Sequence, residues 1–267
     1  MAAPRDDGAL LIMGCGRMGE ALLSGLLAAG RPAAELVVAE VSPSRRKELA
    51  AAHRGVAVVD APVPVAAAVL AVKPGDVADA ARAVADAGCQ RVLSVAAGVT
   101  TKAIEAAVSG RLRVVRAMPN TPALIGAGAA AISPGSTADD EDLAWAEQVL
   151  GAVGLVVRVP EKALDAVTGL SGSGPAYVFL VAEAMAEAGV LCGLARDVAE
   201  ALAFQTLLGS ARLLVHGGDT PAALRAAVTS PGGTTAAGLR ELERRGVRAA
   251  FLDAVVAATE RSRELGG

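Results

Sequence analysis

Six residues near the start of the chain, Gly14-Cys15-Gly16-Arg17-Met18-Gly19, constrain the fold more than any others. They follow a short apolar run at residues 9–13 and open a helical run at 18–29, which Gly30 and Pro32 end. Gly14 permits a tight strand-to-helix turn, Gly16 lets the backbone approach a pyrophosphate, and Gly19 lets the helix pack closely on the strand. The helix N-terminus then offers free N–H groups to phosphates. Such spacing alone is weak in a chain with 30 glycines. Its place between the first strand and the first helix gives it weight, and the whole segment from Gly14 to Gly19 is a candidate dinucleotide-binding turn.

The pattern downstream agrees. Apolar runs at 36–41, 67–72, 91–95 and 114–117 alternate with helical runs at 76–87 and 101–108. Continuous apolar strands between helices predict a parallel sheet covered on both faces. Runs at 127–132 and 155–159 extend that sheet, with an acidic helix at 139–152 between them. Beyond Pro160 the strand signals stop, and residues 162–170, 176–188, 197–215, 221–228, 234–245 and 248–263 all read as helices. The expected organisation is an N-terminal Rossmann-like doubly wound α/β domain over 1–160, followed by an all-helical substrate and dimerisation domain over 161–267. The helix at 176–188 carries Glu183 and Glu187 as its only charges, which suits burial against a second subunit. With 53% apolar residues but 2% aromatic, the core is built from Ala, Val and Leu.

Several function classes fall away. A net charge of −3 gives no basic face for nucleic acid. Cys15, Cys89 and Cys192 are far apart, with no CxxC or Cys/His spacing, so neither a disulfide framework nor a metal site is expected. That suits a reducing compartment. The first residues show no signal-peptide pattern, and the longest apolar stretches are broken by Pro or Glu, short of a membrane span. The expectation is a cytoplasmic protein.

The second strand ends at Glu40, 21 residues after Gly19, where an acidic side chain reads the adenine ribose hydroxyls and favours NADH. Ser42, Ser44, Arg45 and Arg46 follow at once, and an arginine there suits the 2′-phosphate of NADPH. The two signals conflict; NADPH is expected, with NADH as the alternative. Ala71, Val72, Lys73 and Pro74 end the third strand read in the sequence, on the edge where open α/β sheets bind ligands, and join the candidate cofactor residues.

Three further segments stand out. Met118-Pro119-Asn120-Thr121-Pro122 follows a strand and fixes polar groups between prolines. Ser171-Gly172-Ser173-Gly174-Pro175 and Ser230-Pro231-Gly232-Gly233-Thr234-Thr235 each read as a glycine-rich, hydroxyl-bearing helix start. Such ends bind anions through free N–H groups, although Ser and Thr also serve there as simple caps. Two of them beside a nucleotide domain suggest a small carboxylate substrate. His53 and His216 neighbour no motif and read as surface residues, and Trp145 and Tyr177 as packing residues.

Together with Val72-Lys73-Pro74 and Ala96-Ala97-Gly98-Val99-Thr100, these segments and the run from Asp165 to Tyr177 occur in an order that resembles the pyrroline-5-carboxylate reductases, across nearly the whole chain. The resemblance implies NAD(P)H-dependent reduction of 1-pyrroline-5-carboxylate to L-proline, the last step of proline synthesis. It implies Thr235 as the hydrogen-bond donor to the imine nitrogen and backbone N–H groups of Gly232, Gly233 and Thr234 on the substrate carboxylate. Ser230, Ser173 and Gly174 would line the pocket, and Ala97, Pro119 and Asn120 would lie at the nicotinamide end. It further implies a homodimer through the helical domain and assembly of dimers into rings. Hydride transfer to an imine needs neither a covalent nucleophile nor a metal. The β-hydroxyacid dehydrogenases share this domain plan but carry a catalytic lysine on the first long helix of the second domain. Here that site is Val178, and no lysine follows Lys162. A nucleotide-sensing protein without activity is disfavoured by the intact Thr235 and glycine segments.

Overall fold

The computed structural model describes residues 8–266. Its first part runs β1 (Leu10–Met13), α1 (Arg17–Ala28), β2 (Leu36–Ala39), α2 (Pro43–Ala52), β3 (Ala57–Val59), β4 (Ala67–Leu70), α3 (Val77–Asp86), β5 (Arg91–Ser94), α4 (Thr101–Ala107), β6 (Arg113–Met118), β7 (Gly128–Pro134), α5 (Asp140–Gly151) and β8 (Gly154–Arg158). The eight strands form one sheet in the order β3-β2-β1-β4-β5-β6-β7-β8. Every neighbouring pair is parallel except β6 and β7. The exception has a simple cause. A parallel return needs a crossover of roughly a dozen residues or more. Between Met118 and Gly128 the chain makes only a tight 3₁₀ turn, Thr121–Ile125, closed by Gly126 in the left-handed region at φ 71°.

Strand alternation sorts the core onto the two faces. Leu10 and Ile12 join Leu22, Leu26 and Trp145 on one face, while Leu11 joins Val77, Val84 and Ile104 on the other. All five residues of this strand's neighbourhood named from β1 and α1 are buried to within a few per cent, so a truncation such as Leu11→Ala costs about 2–5 kcal/mol. On α5 the buried Asp142 completes a capping box with Asp139 and pairs with Arg113 at 2.9 Å. Trp145 lies in the core with the Arg91 guanidinium 4.8 Å over its ring.

The second part runs α6 (Leu164–Val167), a π-helical turn (Thr168–Gly172), α7 (Gly174–Leu191), α8 (Arg196–His216), α9 (Pro221–Ala227), α10 (Thr234–Arg244) and α11 (Val247–Gly266). The chain packs as two compact units. One takes the chain up to Ser173 together with its return from Ala257, and the other is Gly174–Val256. Inside the second unit, α7 and α8 meet through alanines: Ala182 and Ala186 on one helix, Ala199 and Ala203 on the other, are its buried apolar residues. Phe179, Leu180, Leu202 and Phe204 remain exposed on this single chain.

Three expectations change. The helical stretches Glu161–Leu191 and Arg196–His216 are long and apolar enough to cross a membrane, despite their Pro and Glu residues. Ser171–Pro175 is not a free helix start, because the backbone stays helical through it. His53 is largely enclosed, with Nε2 3.4 Å from Glu20 Oε1.

Candidate functional site

The strand order reverses direction about β1, where β2 lies on one side and β4 on the other, so a crevice opens beyond the carboxyl ends of these strands. There Met13, Gly14, Cys15, Gly16, Glu40, Ala71, Val72 and Lys73 line a cleft of about 370 Å³. The structure therefore brings together Gly14, Cys15, Gly16, Glu40, Ala71, Val72 and Lys73 of the residues that the sequence assigns to the cofactor. Gly14 and Gly19 have the tight-turn and close-packing geometry that their spacing predicts. Gly14 has φ +81°, and a Cβ there would press on Val72 and the Ala71 carbonyl. A Cβ on Gly19 would overlap the Gly14 carbonyl oxygen, so helix and strand approach closely only with glycine at 19. Gly16 lines the cleft with open space at its Cβ position, which leaves room for a pyrophosphate beside the backbone. No side chain caps α1, so its first N–H groups are left for a ligand. These features fit a dinucleotide.

Two members of the turn sit elsewhere. Met18 packs against the core, and Arg17 is exposed at the first position of α1. Cys15 is fully buried, and its thiol is pushed up to about 12 by burial first and then by the Glu20 carboxylate, against the opposing pull of Arg45. It stays a neutral thiol at physiological pH and acts as a small apolar residue.

The residues that the sequence assigns to the adenine ribose form a linked set. Glu40 accepts the Cys15 N–H and the Ser42 N–H, both at 3.0 Å, one on each carboxylate oxygen. Ser42 caps α2 by accepting the Arg45 N–H. Arg45 donates to the Cys15 carbonyl at 3.2 Å, to Glu48 and to Glu20. Arg46 donates to the carbonyls of Glu40 and Val41. Glu40 is thus bonded into the glycine turn itself, and Arg45 is held beside it by two carboxylates.

A second cleft of about 380 Å³ in the same unit is lined by Pro74, Ala97, Gly98, Thr168 and Ser173, together with Ala258, Arg261, Ser262 and Leu265 of α11. Pro74, Ala97 and Ser173 are among the residues that the sequence singles out. Those of α11 are not, because their arrival here depends on the return of the last helix. Ser262 anchors that return by donating to Asp165 at 2.7 Å. The Ala97–Gly98 segment leads into α4, where Glu161 accepts the Thr101 N–H and hydroxyl at 2.8 Å each and Arg116 at 3.1 Å. Burial pushes the Glu161 carboxyl up, but the bonds from Thr101 and Arg116 outweigh it and hold the carboxyl below the ordinary range.

Pro119 is buried at the end of β6. The Asn120 amide reaches in two directions: its Oδ1 accepts the Ala129 N–H at 2.8 Å, and its Nδ2 donates to the Ser171 carbonyl at 3.0 Å. Ser171 lies in the π-helical turn, where the Ser173 N–H donates five residues back to Thr168. A Cβ on Gly172 would come within 2.7 Å of the Met118 methyl.

In the second unit, Ser230–Thr235 forms the entry to α10. Gly232 has φ +69°, which only glycine adopts readily. The Gly233 N–H donates to the Ser230 carbonyl at 3.1 Å, and a Cβ at 233 would overlap the Ser230 hydroxyl. No side chain caps α10. Its first N–H groups are free of intrahelical partners, so the simple capping role does not account for this segment.

Comparison with known proteins supplies the rest. Residues 161–265 match the family model described as pyrroline-5-carboxylate reductase dimerisation, and residues 9–98 match that of NADP oxidoreductase coenzyme F420-dependent. Pyrroline-5-carboxylate reductase of Mycobacterium tuberculosis is 47% identical over 96% of both chains, and that of Synechocystis is 45% identical over 96% of this chain and 97% of its own. The solved reductase of Coxiella burnetii superposes with a TM-score of 0.92 at 36% identity, covering 97% of this chain and 98% of that one. The Plasmodium falciparum pyrroline carboxylate reductase with NADP bound superposes at 0.84 with 28% identity, over 98% and 99%. Likeness of this extent runs through both the dinucleotide crevice and the helical unit, and the chain belongs to the pyrroline-5-carboxylate reductase family.

Proposed function

We propose that this chain reduces 1-pyrroline-5-carboxylate to L-proline with NADPH, as a self-associating enzyme of the cytoplasm. The observation that carries the reading is identity of 47% over 96% of both chains with a relative of that name, on a chain whose crevice fits a dinucleotide. NADP in the Plasmodium relative supports NADPH as the cofactor.

When bound, NADPH supplies the hydride. The protein binds and orients. The uncapped α1 N-terminus and the Gly14–Gly16 backbone hold the pyrophosphate, with Glu40, Ser42 and Arg45 at the adenine ribose. Ala71, Val72, Lys73, Pro74, Ala97 and Pro119 border the path toward the nicotinamide end. The N–H groups of Gly232, Gly233 and Thr234 hold the substrate carboxylate, because an uncapped helix start carries partial positive charge. Ser230, Ser173 and Gly174 line the substrate pocket. Thr235 donates a hydrogen bond at the imine nitrogen. The neutral imine nitrogen accepts this bond; as the hydride adds to the imine carbon, the nitrogen takes up one proton, supplied from solvent through the Thr235 hydroxyl, so the product is a secondary amine with no covalent bond to the protein. Alignment of the reacting carbons is then the main contribution, and well-oriented pairs gain on the order of 7–11 kcal/mol.

Self-association uses the helical unit, where the dimerisation model matches and large apolar side chains are uncovered on one chain. The family resemblance extends this to dimers arranged in rings. The test is proline formation by purified protein given 1-pyrroline-5-carboxylate with NADPH and, in parallel, NADH. Turnover favouring NADPH supports the reading; cofactor binding without proline from either would overturn it.

A further inference from the structure

We infer that Asn120 is a positioning residue that acts through the Ser171 carbonyl, taking the place of a backbone donor that the sequence removes. In a helix the carbonyl of residue 171 bonds the N–H of residue 175, but residue 175 is proline and has no N–H. A carbonyl left unbonded away from water is costly. Asn120 Nδ2 meets that carbonyl at 3.0 Å. The same side chain is itself fixed, because its Oδ1 accepts the Ala129 N–H at 2.8 Å, at the start of β7. Both polar groups of the amide are therefore committed to backbone.

What the bond holds is a π-helical turn. The Ser173 N–H bonds Thr168 at 2.8 Å rather than residue 169, so the turn is wider than an α-helix by one residue. Such insertions are frequent at functional sites. Gly172 keeps the turn against Met118, where any Cβ would crowd the Met118 methyl. Ser173, the next residue, lines the cleft that also holds Ala97 and Pro74. Asn120 thus joins the end of β6 to the turn that sets the Ser173 position. Its task is substrate alignment and not contact with the dinucleotide.

The inference rests on the imine-reductase reading only for its kinetic arm. Three measurements test it on the full-length protein. NADPH affinity is measured by fluorescence titration of wild type, Asn120→Ala and the isosteric Asn120→Asp, which keeps the acceptor for Ala129 and loses the donor. Amide hydrogen exchange follows peptides spanning 168–174. Steady-state kinetics gives kcat and the two KM values. The expected result is an NADPH Kd within about twofold of wild type, faster exchange at 168–174, and a kcat lower by about tenfold or more, the loss of one committed hydrogen bond. Pro175→Ala restores an N–H four residues after Ser171, so Asn120→Ala should cost several-fold less in that background. Weakened NADPH binding equal to the loss in kcat/KM would make Asn120 a cofactor contact and overturn the inference. Unchanged exchange at 168–174 would overturn it as well. A wild-type protein that fails to form proline would sink the reaction reading, while the titration and exchange arms would still decide the role of Asn120.

Discussion

The two compact units solve the problem of burying apolar surface differently. In the first, the central strands β1, β2, β4, β5 and β6 are buried nearly throughout, and side chains such as Leu11, Ile12, Leu22 and Leu93 are fully buried within one chain. In the second, the buried apolar residues are four alanines, while Val178, Phe179, Leu202 and Phe204 face outward on the single chain. Small residues let α7 and α8 approach closely but bury little area, and burial stabilises by roughly 25 cal/mol per Å². The first unit carries its own core. The second, within the match to the dimerisation model over 161–265, leaves large apolar side chains uncovered on one chain, as a self-associating unit would. The crevice that fits a dinucleotide therefore lies in the unit with its own apolar core, and the uncovered apolar side chains lie in the other.

The largest expected effect breaks that contrast directly. Phe204→Asp puts an unpaired charge on the uncovered face, which costs about 3–5 kcal/mol once that face is buried. Sedimentation should show loss of the dimer, and an unchanged dimer would mean that α8 is not part of the interface. Next comes the first unit's glycine turn. Gly19→Ala forces a Cβ onto the Gly14 carbonyl, and overpacking of about 1–3 kcal/mol should weaken NADPH binding by roughly tenfold to a hundredfold. Calorimetric titration checks this, with the dimer expected to persist.

A comparable effect lies at Glu161. Its carboxyl is held below the ordinary range in the folded state, so its contribution to stability is fully present above the unfolded value and fades as pH falls through the lower folded value. Glu161→Gln should lose about 1.5–3 kcal/mol at neutral pH and flatten the acid limb of the thermal-stability profile. An unaltered acid limb would assign that titration to other carboxylates. The smallest effect is expected at the ribose site. Arg45 is partly exposed and already paired with Glu20 and Glu48. Arg45→Ala should raise the KM for NADPH about fivefold, from an interaction worth ~1 kcal/mol, and leave the KM for NADH nearly unchanged. Equal changes in both would move 2′-phosphate recognition away from Arg45.

Much of the first unit was legible because its signals are local. An apolar run, a glycine turn and an amphipathic helix repeat in sequence, and β1, β4, β5 and β6 fall where the runs do. The misses share a cause. β3 is three half-buried residues on the sheet edge, and α2 buries only Leu49, so neither shows a strong period. Ser171–Pro175 reads as a break between two helices, whereas the backbone stays helical through it and its Ser171 and Gly172 lie against Asn120 and Met118, distant in sequence. The same holds for Arg261, Ser262 and Leu265, which reach the second cleft only because α11 returns to the first unit. Glu40 was visible as an acidic residue at a strand end, but its bonds to the Cys15 and Ser42 N–H groups were not, since they require the two βα turns to be neighbours.

The most direct test of the central claim uses NADPH carrying deuterium at the transferred position, incubated with 1-pyrroline-5-carboxylate and the purified dimer, with the proline read by mass spectrometry. The account predicts proline labelled on the ring carbon that is bonded to nitrogen and does not bear the carboxylate. Unlabelled proline, or label at any other carbon, would contradict it.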